Sequence, residues 1–75
     1  MTIDKLLAIL SDLHPETDFA SHDALIDDKV LDSFDIVTII ADIDDAYGVV
    51  IPAEEIVPEN FNSAQSLFAL VERLA

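Results

Sequence analysis

Apolar residues recur at steps of three and four in two long segments of this 75-residue chain. Such steps place apolar side chains along one face of an α-helix, whereas a half-buried strand would need strict alternation. The spacing therefore predicts two amphipathic helices and an all-α fold. The apolar residues with this spacing are Ile3, Leu6, Leu7, Leu10 and Leu13 in residues 3–13, and Ile36, Val37, Ile40, Ile43 and Tyr47 in residues 33–47, with Ile39 at the margin of that face.

Capping and helix-breaking residues set the ends of both predicted helices. Thr2 is a suitable N-cap for the first helix, and Pro15 prevents its continuation beyond residue 14. Asp32, with Asp35 three residues later, predicts a box-like cap at the start of the second helix. Gly48, the only glycine in the chain, is expected at the C′ position that ends this helix.

The remaining segments predict one long loop and two shorter helical elements. Residues 16–31 show no clean period, so we predict a loop that apolar side chains hold to the core. Residues 52–56 predict a single helical turn, and Asn62 or Ser63 can cap a last helix. The apolar run at 49–51 has no second strand with which to pair, so we do not predict a strand there. The side chains expected in the core are Phe19, Leu25, Ile26, Val30 and Leu31 from the loop, and Leu67, Leu70, Val71 and Leu74 from the last helix.

The charge of the chain restricts its partners. Sixteen Asp and Glu residues stand against three Lys and Arg residues, which gives a formal net charge of −13. Nucleic acid and anionic membranes would repel this charge, whereas a partner with a basic patch would attract it. The chain has no cysteine, so we expect neither a disulfide nor a thiolate metal site.

The apolar runs are only a few residues long, and no basic segment precedes the first of them. Neither a membrane span nor a signal peptide is therefore expected. The EF-hand spacing with its central glycine is absent, which argues against a Ca²⁺ protein despite the many acids. We expect one cytoplasmic, monomeric domain over residues 1–75 that holds no metal ion.

The side of the second helix opposite its predicted core face is expected to meet solvent. Acids are ordinary on a solvated face, but a large aromatic residue such as Phe34 is not. Phe34 beside a small alanine suggests an apolar spot rimmed by charge, which is typical of a partner-binding surface. Phe34 could instead fold inwards and pack on the long loop. The residues predicted for this surface are Phe34, Asp35, Thr38, Ala41, Asp42 and Asp45.

Ser33 occupies the beginning of the second predicted helix. Unpaired backbone N–H groups and the helix dipole would favour a phosphate ester on its hydroxyl, while Asp32 and Asp35 would oppose it. A serine at a helix start is more often a cap than a modification site. Local physics therefore leaves both roles open for Ser33.

Residues 30–35, Val-Leu-Asp-Ser-Phe-Asp, resemble the phosphopantetheine attachment site of acyl carrier proteins. In that family an Asp-Ser-Leu pattern places the serine at the start of the second helix of a four-helix bundle. Residues 25–27 resemble the loop motif that leads into the site, and residues 48–52 resemble the helix exit. With the apolar spacing of the second helix and the last helix from Ser63, the resemblance covers nearly the whole chain.

Two departures from the family pattern concern the surface beside the serine. Phe34 replaces the usual leucine and offers partners a bulkier side chain. Thr38 stands where many members carry a glutamate, so the docking of partners would depend more on other acids. Those acids are Asp35, Asp42, Asp44 and Asp45.

The resemblance implies an acyl-carrier-like four-helix bundle with a long loop between helices one and two and a short third helix. It implies that Ser33 carries 4′-phosphopantetheine, with Asp32 part of the attachment site. The implied partners are a phosphopantetheinyl transferase and acyl or aminoacyl ligases, synthases and transferases with basic docking patches. The chain would then be a substrate of enzymes and not an enzyme itself.

The cargo and one other function class stay open. Residues 52–64 are similar to the D-alanine carrier proteins of teichoic acid modification, so D-alanine stands beside fatty acyl and polyketide cargo. The same charge and the same Phe34 would also suit an acidic helical adaptor that never carries a prosthetic group. Hydrolysis by Ser33 is not expected, because no glycine elbow or triad order recruits His14 or His22.

Overall fold

The computed structural model describes residues 2–75, and within this range the chain is all-α. It contains four α-helices and one 3₁₀ turn, and no strand occurs in these residues. The all-α prediction is therefore confirmed, including the absence of a strand at 49–51. In chain order the elements are α1 (Ile3–Leu13), α2 (Ser33–Tyr47), the 3₁₀ turn (Ala53–Glu55), α3 (Pro58–Phe61) and α4 (Ala64–Leu74).

Helix α1 has the predicted boundaries. Thr2 occupies the N-cap position with an extended backbone, although its side chain makes no capping hydrogen bond. The helix ends at Leu13, and the His14 N–H still donates to the Leu10 carbonyl at 3.0 Å. Leu6 and Leu10 are fully buried, so the four-residue step fixes the face that packs into the core.

Both ends of helix α2 are set by the local capping interactions that the sequence predicts. The Asp32 side chain accepts from the Asp35 N–H, and the Asp35 side chain accepts from the Asp32 N–H, which completes a capping box. Gly48 takes a left-handed conformation with φ 68°, and its N–H donates to the Asp44 carbonyl at 2.8 Å. Both predicted helix ends are confirmed.

The core face of α2 differs from the predicted one. Ile39, expected at the margin, is fully buried together with Ile43, whereas Val37, expected in the core, is 67% exposed. At 100° per residue Val37 lies about 100° away from Ile36 around the helix axis. Five aliphatic residues cover too wide an arc for one contact, and the packing of α2 on α1 selects the side centred on Ile39 and Ile43.

The long loop between α1 and α2 is held to the core as predicted. Phe19, Leu25 and Leu31 are buried, and Ile26 and Val30 pack against the same cluster. Residues 25–30 form a turn whose end is closed by two backbone hydrogen bonds. The Val30 N–H donates to the Leu25 carbonyl at 2.9 Å, and the Lys29 N–H donates to the Ile26 carbonyl at 3.0 Å.

This closure requires a left-handed backbone at Lys29, whose φ is 60°. Glycine is the usual residue at such a position because a side chain crowds the backbone there. We expect Lys29→Gly to raise the free energy of unfolding by about 0.5–1 kcal/mol, since relief of strain exceeds the added flexibility of the unfolded chain.

Urea unfolding at pH 7 measures the effect of Lys29→Gly. Ala24→Gly is the matched control, because no non-glycine residue among 2–75 except Lys29 has a positive φ. The control gains flexibility without relief of strain and should be destabilised. A Lys29→Gly variant that loses as much stability as the control would contradict the assigned strain.

Asn62 connects this loop turn to the C-terminal half of the chain. Its side-chain oxygen accepts from the N–H groups of Ile26 and Asp27 at 3.0 and 3.2 Å, and its carbonyl accepts from Leu25 at 2.8 Å. Its amide nitrogen donates to the Asp27 carboxylate at 3.3 Å. Asn62 therefore caps the loop turn, and the N-cap of α4 is Ser63, which accepts from the Ser66 N–H at 3.0 Å.

The C-terminal elements complete the core. The short predicted turn is present as the 3₁₀ turn, and a further single turn, α3, follows Pro58. Helix α4 buries Ala64, Leu67, Leu70 and Val71, whereas Leu74 is only half-buried at the chain end. Helix α1 packs against α2 and α4, and α3 packs against α4. Within residues 2–75, no helix combines the length and apolar character needed to cross a bilayer.

Candidate functional site

Ser33 lies at the first position of α2, where the long loop ends. It is exposed, and it follows Asp32, the N-cap residue of this helix. Because Asp32 provides the capping oxygen, the Ser33 hydroxyl is not needed to cap the helix. No hydrogen bond within residues 2–75 involves that hydroxyl. The role of helix cap is thus taken by the residue before Ser33.

The start of α2 also presents backbone donors beside Ser33. The capping box engages the N–H groups of Asp32 and Asp35, and the Ile36 N–H donates to the Asp32 carbonyl at 3.0 Å. The N–H groups of Ser33 and Phe34 have no partner among the described residues. Such N–H groups at a helix start are suitable partners for phosphate oxygens.

Asp35 does not point away from the protein, contrary to the prediction for the partner-binding surface. Its side chain is only 17% exposed, and its Oδ2 atom lies 2.8 Å from Nε2 of His14. Asp35 borders the buried Ile39 on the helix circumference, so its carboxylate faces the end of α1. Its charge is therefore directed into contacts within the domain.

The contact between His14 and Asp35 shifts the pKa of both groups. The hydrogen bond with Asp35 raises the pKa of His14 above its ordinary value of 6.5, against the opposing effect of burial. Partial burial by itself would raise the pKa of Asp35. The hydrogen bonds from His14 and from the Asp32 backbone, with the charge of His14, outweigh this effect and hold that pKa below its ordinary value of 3.8.

We define the outer face of α2 by six exposed residues that share one side of the helix. Phe34 is 84% exposed, as the helical projection predicts, and the alternative in which it folds inwards is wrong. Val37 belongs to this face because the buried side of α2 is centred on Ile39 and Ile43 and leaves Val37 exposed. The Thr38 hydroxyl donates to the Phe34 carbonyl at 3.0 Å, which uses its donor within the helix. The six residues are Phe34, Val37, Thr38, Ala41, Asp42 and Asp45.

The outer face of α2 combines apolar and acidic side chains. Phe34, Val37 and Ala41 follow one another at steps of three and four, which places them on adjacent turns. Asp42 and Asp45 are exposed farther along the helix and border this apolar strip. The arrangement can bind an apolar partner surface that carries basic groups at its edge.

Two residues near the site were missed by the sequence analysis. His14 has no local pattern that indicates a partner, because Asp35 lies 21 residues away. The helical projection puts Val37 on the same side as Ile40, and only the packing of α2 shows that it is exposed. His22 has a separate partner, since its Nε2 lies 3.0 Å from the Asp28 carboxylate. Within residues 2–75, no group of three or more acidic or histidine side chains converges as a metal site.

No family model, curated protein or solved structure matches this chain.

Proposed function

We propose that this chain is an acyl carrier protein in which Ser33 carries 4′-phosphopantetheine through a phosphodiester. The observation that carries the proposal is the environment of Ser33, an exposed hydroxyl at the first position of α2 whose capping role is taken by Asp32. The element order, with a long loop before α2 and a single turn before α4, agrees with the layout that the resemblance implies.

The residues around Ser33 suit the attachment of a phosphodiester. The N–H groups of Ser33 and Phe34 can donate to its oxygens, and the positive end of the α2 dipole favours its negative charge. Asp32 opposes this attraction, whereas the negative charge of Asp35 is offset in part by His14. When bound, the arm supplies a terminal thiol that holds an acyl or aminoacyl group as a thioester.

The outer face of α2 is the surface that we propose for partner enzymes. A phosphopantetheinyl transferase must reach Ser33, and the strip formed by Phe34, Val37 and Ala41 begins next to it. Basic groups on the ligase, synthase or transferase would meet Asp42 and Asp45 at the border. The net charge of −13 would increase the rate of encounter with such partners.

Intact-mass spectrometry tests the proposal. Incubation with coenzyme A and a promiscuous phosphopantetheinyl transferase should add one phosphopantetheine to the wild-type chain and none to Ser33→Ala. Ser63→Ala is the matched control, because Ser63 also lies at a helix start but serves as its cap. The control should still accept one arm. An unmodified wild-type chain, or an arm on Ser33→Ala, would refute the proposal.

A second candidate function is an adaptor that carries no arm. It is favoured by the exposure of Phe34 and Val37, which would serve a binding partner equally well. The mass of the protein purified from its natural source separates the two functions, because an adaptor should show only the unmodified chain. In the carrier case the same spectrum identifies the cargo and separates D-alanine from fatty acyl and polyketide groups.

A further inference from the structure

The imidazole of His14 lies between two carboxylates where α1 ends. Its Nε2 atom is 2.8 Å from Oδ2 of Asp35 in the first turn of α2, and its Nδ1 atom is 3.4 Å from Oε1 of Glu16 in the loop. Carboxylates accept hydrogen bonds, and an imidazole donates from both nitrogens only when it is protonated. The imidazolium form of His14 suits both contacts, the one with Asp35 as a hydrogen bond and the one with Glu16 as an ion pair.

The same Asp35 carboxylate also fixes the start of α2. Its Oδ2 atom accepts from the Asp32 N–H at 3.1 Å as well as from His14, and the Asp35 N–H donates to Asp32 Oδ1 at 2.9 Å. His14 is itself fixed to α1, because its N–H donates to the Leu10 carbonyl. A change in the charge of His14 thus reaches the hydrogen bonds on both sides of Ser33.

We propose that His14 and Asp35 form a pH-sensitive clamp that joins the end of α1 to the start of α2, and that loss of the His14 proton loosens the turn around Ser33. The clamp goes beyond the proposed carrier function and does not depend on it. It acts on the backbone of this turn whether or not Ser33 is modified.

The charged groups that face the His14 ring are Asp35 from α2 and Glu16 from the loop. Helix α4 also packs on α1, but none of its charged side chains contacts the ring within the described residues. The imidazolium thus faces two carboxylates and no cation in this part of the chain. This arrangement favours the charged form of His14, and loss of the proton removes the positive charge that attracts both carboxylates.

The pKa shifts set the direction of the pH dependence. The pKa of His14 is raised in the folded state, so its contribution is complete below its ordinary value of 6.5 and is lost as the pH rises through the higher folded value. The pKa of Asp35 is lowered, so its contribution is complete above 3.8 and is lost only in stronger acid. The clamp is therefore strongest between these two values and weakens towards alkaline pH.

Amide exchange with water, measured by NMR and corrected for intrinsic rates, tests the clamp. Between pH 5.5 and 8.5 we expect the protection of the Asp35 and Ile36 amides to fall about threefold, the change expected when one partly exposed charged contact is lost. The amides near Tyr47 in the same helix should change less. In His14→Gln this fall should disappear, because glutamine does not titrate.

Two further measurements keep the test decisive. His22→Gln is the matched control, because it removes the other histidine–carboxylate contact, and it should keep the wild-type pH dependence. In the NMR titration, Asp35→Asn should lower the pKa of the His14 ring, because the ring loses its hydrogen bond with the carboxylate. A fall that persists in His14→Gln, or that is equal along all of α2, would overturn the clamp.

Discussion

Ile39→Ala should lower the free energy of unfolding by about 3 kcal/mol, because it removes three carbons from a side chain that is fully buried. A domain of this size is stabilised by only about 4–11 kcal/mol, so this loss is a large share of the total. The melting temperature should fall by about 15 °C. Thermal and urea unfolding followed by circular dichroism measure both quantities.

Val37→Ala is the control for Ile39→Ala, since both residues lie on α2 and both changes remove a branched aliphatic side chain. Val37 is exposed, so we expect a change within about 0.5 kcal/mol, with a slight gain from the better helix propensity of alanine. The comparison decides which face of α2 packs into the core. A greater loss for Val37→Ala than for Ile39→Ala would show that the helix is rotated towards the face that the sequence predicts.

Asn62→Ala should cost about 2 kcal/mol, because the half-buried N–H group of Ile26 and the exposed N–H group of Asp27 both lose their acceptor. The damage should be local to the loop turn. In amide exchange the Ile26 and Asp27 amides should lose protection before those of α2. Urea unfolding gives the free energy, and exchange NMR gives its location.

Asn62→Asp separates the acceptor from the rest of the side chain. The carboxylate can accept from the same two N–H groups, but it lies beside the Asp27 carboxylate that Asn62 now contacts at 3.3 Å. We expect part of the stability to return, and more of it at high salt, where the repulsion is screened. A cost below about 0.5 kcal/mol for Asn62→Ala would mean that its side chain does not anchor the loop.

The predictions for Ile39 and Asn62 depend on contacts that the sequence alone does not identify. The four-residue step between Ile39 and Ile43 is visible in the sequence, but so is the step from Ile36 to Ile40, and both predict the same helix. Only the packing on α1 chooses between them. The local sequence predicts Asn62 as a cap for the helix that follows it. Its side chain instead accepts from a turn 35 residues away, which a local pattern cannot show.

In the candidate site too, some features follow from local spacing and others from contacts between distant segments. The capping box of Asp32 and Asp35 and the exposure of Phe34 follow from spacing along one helix, and the structure has both. The contact of Asp35 with His14 does not follow from spacing, because it joins the end of one helix to the start of another. The outward orientation that was expected for Asp35 is wrong for this reason.

The sequence alone determined what depends on neighbours within one helical turn. The helical class, the ends of α1 and α2, the left-handed Gly48 and the position of Ser33 at the start of α2 are of this kind. The tertiary structure decided which side of α2 is buried, how Asn62 holds the long loop, and that His14 takes the carboxylate of Asp35. These depend on contacts between distant segments, which form only when the chain packs. For Ser33, the sequence places the hydroxyl at the helix start, and the packing of His14 sets the charge beside it.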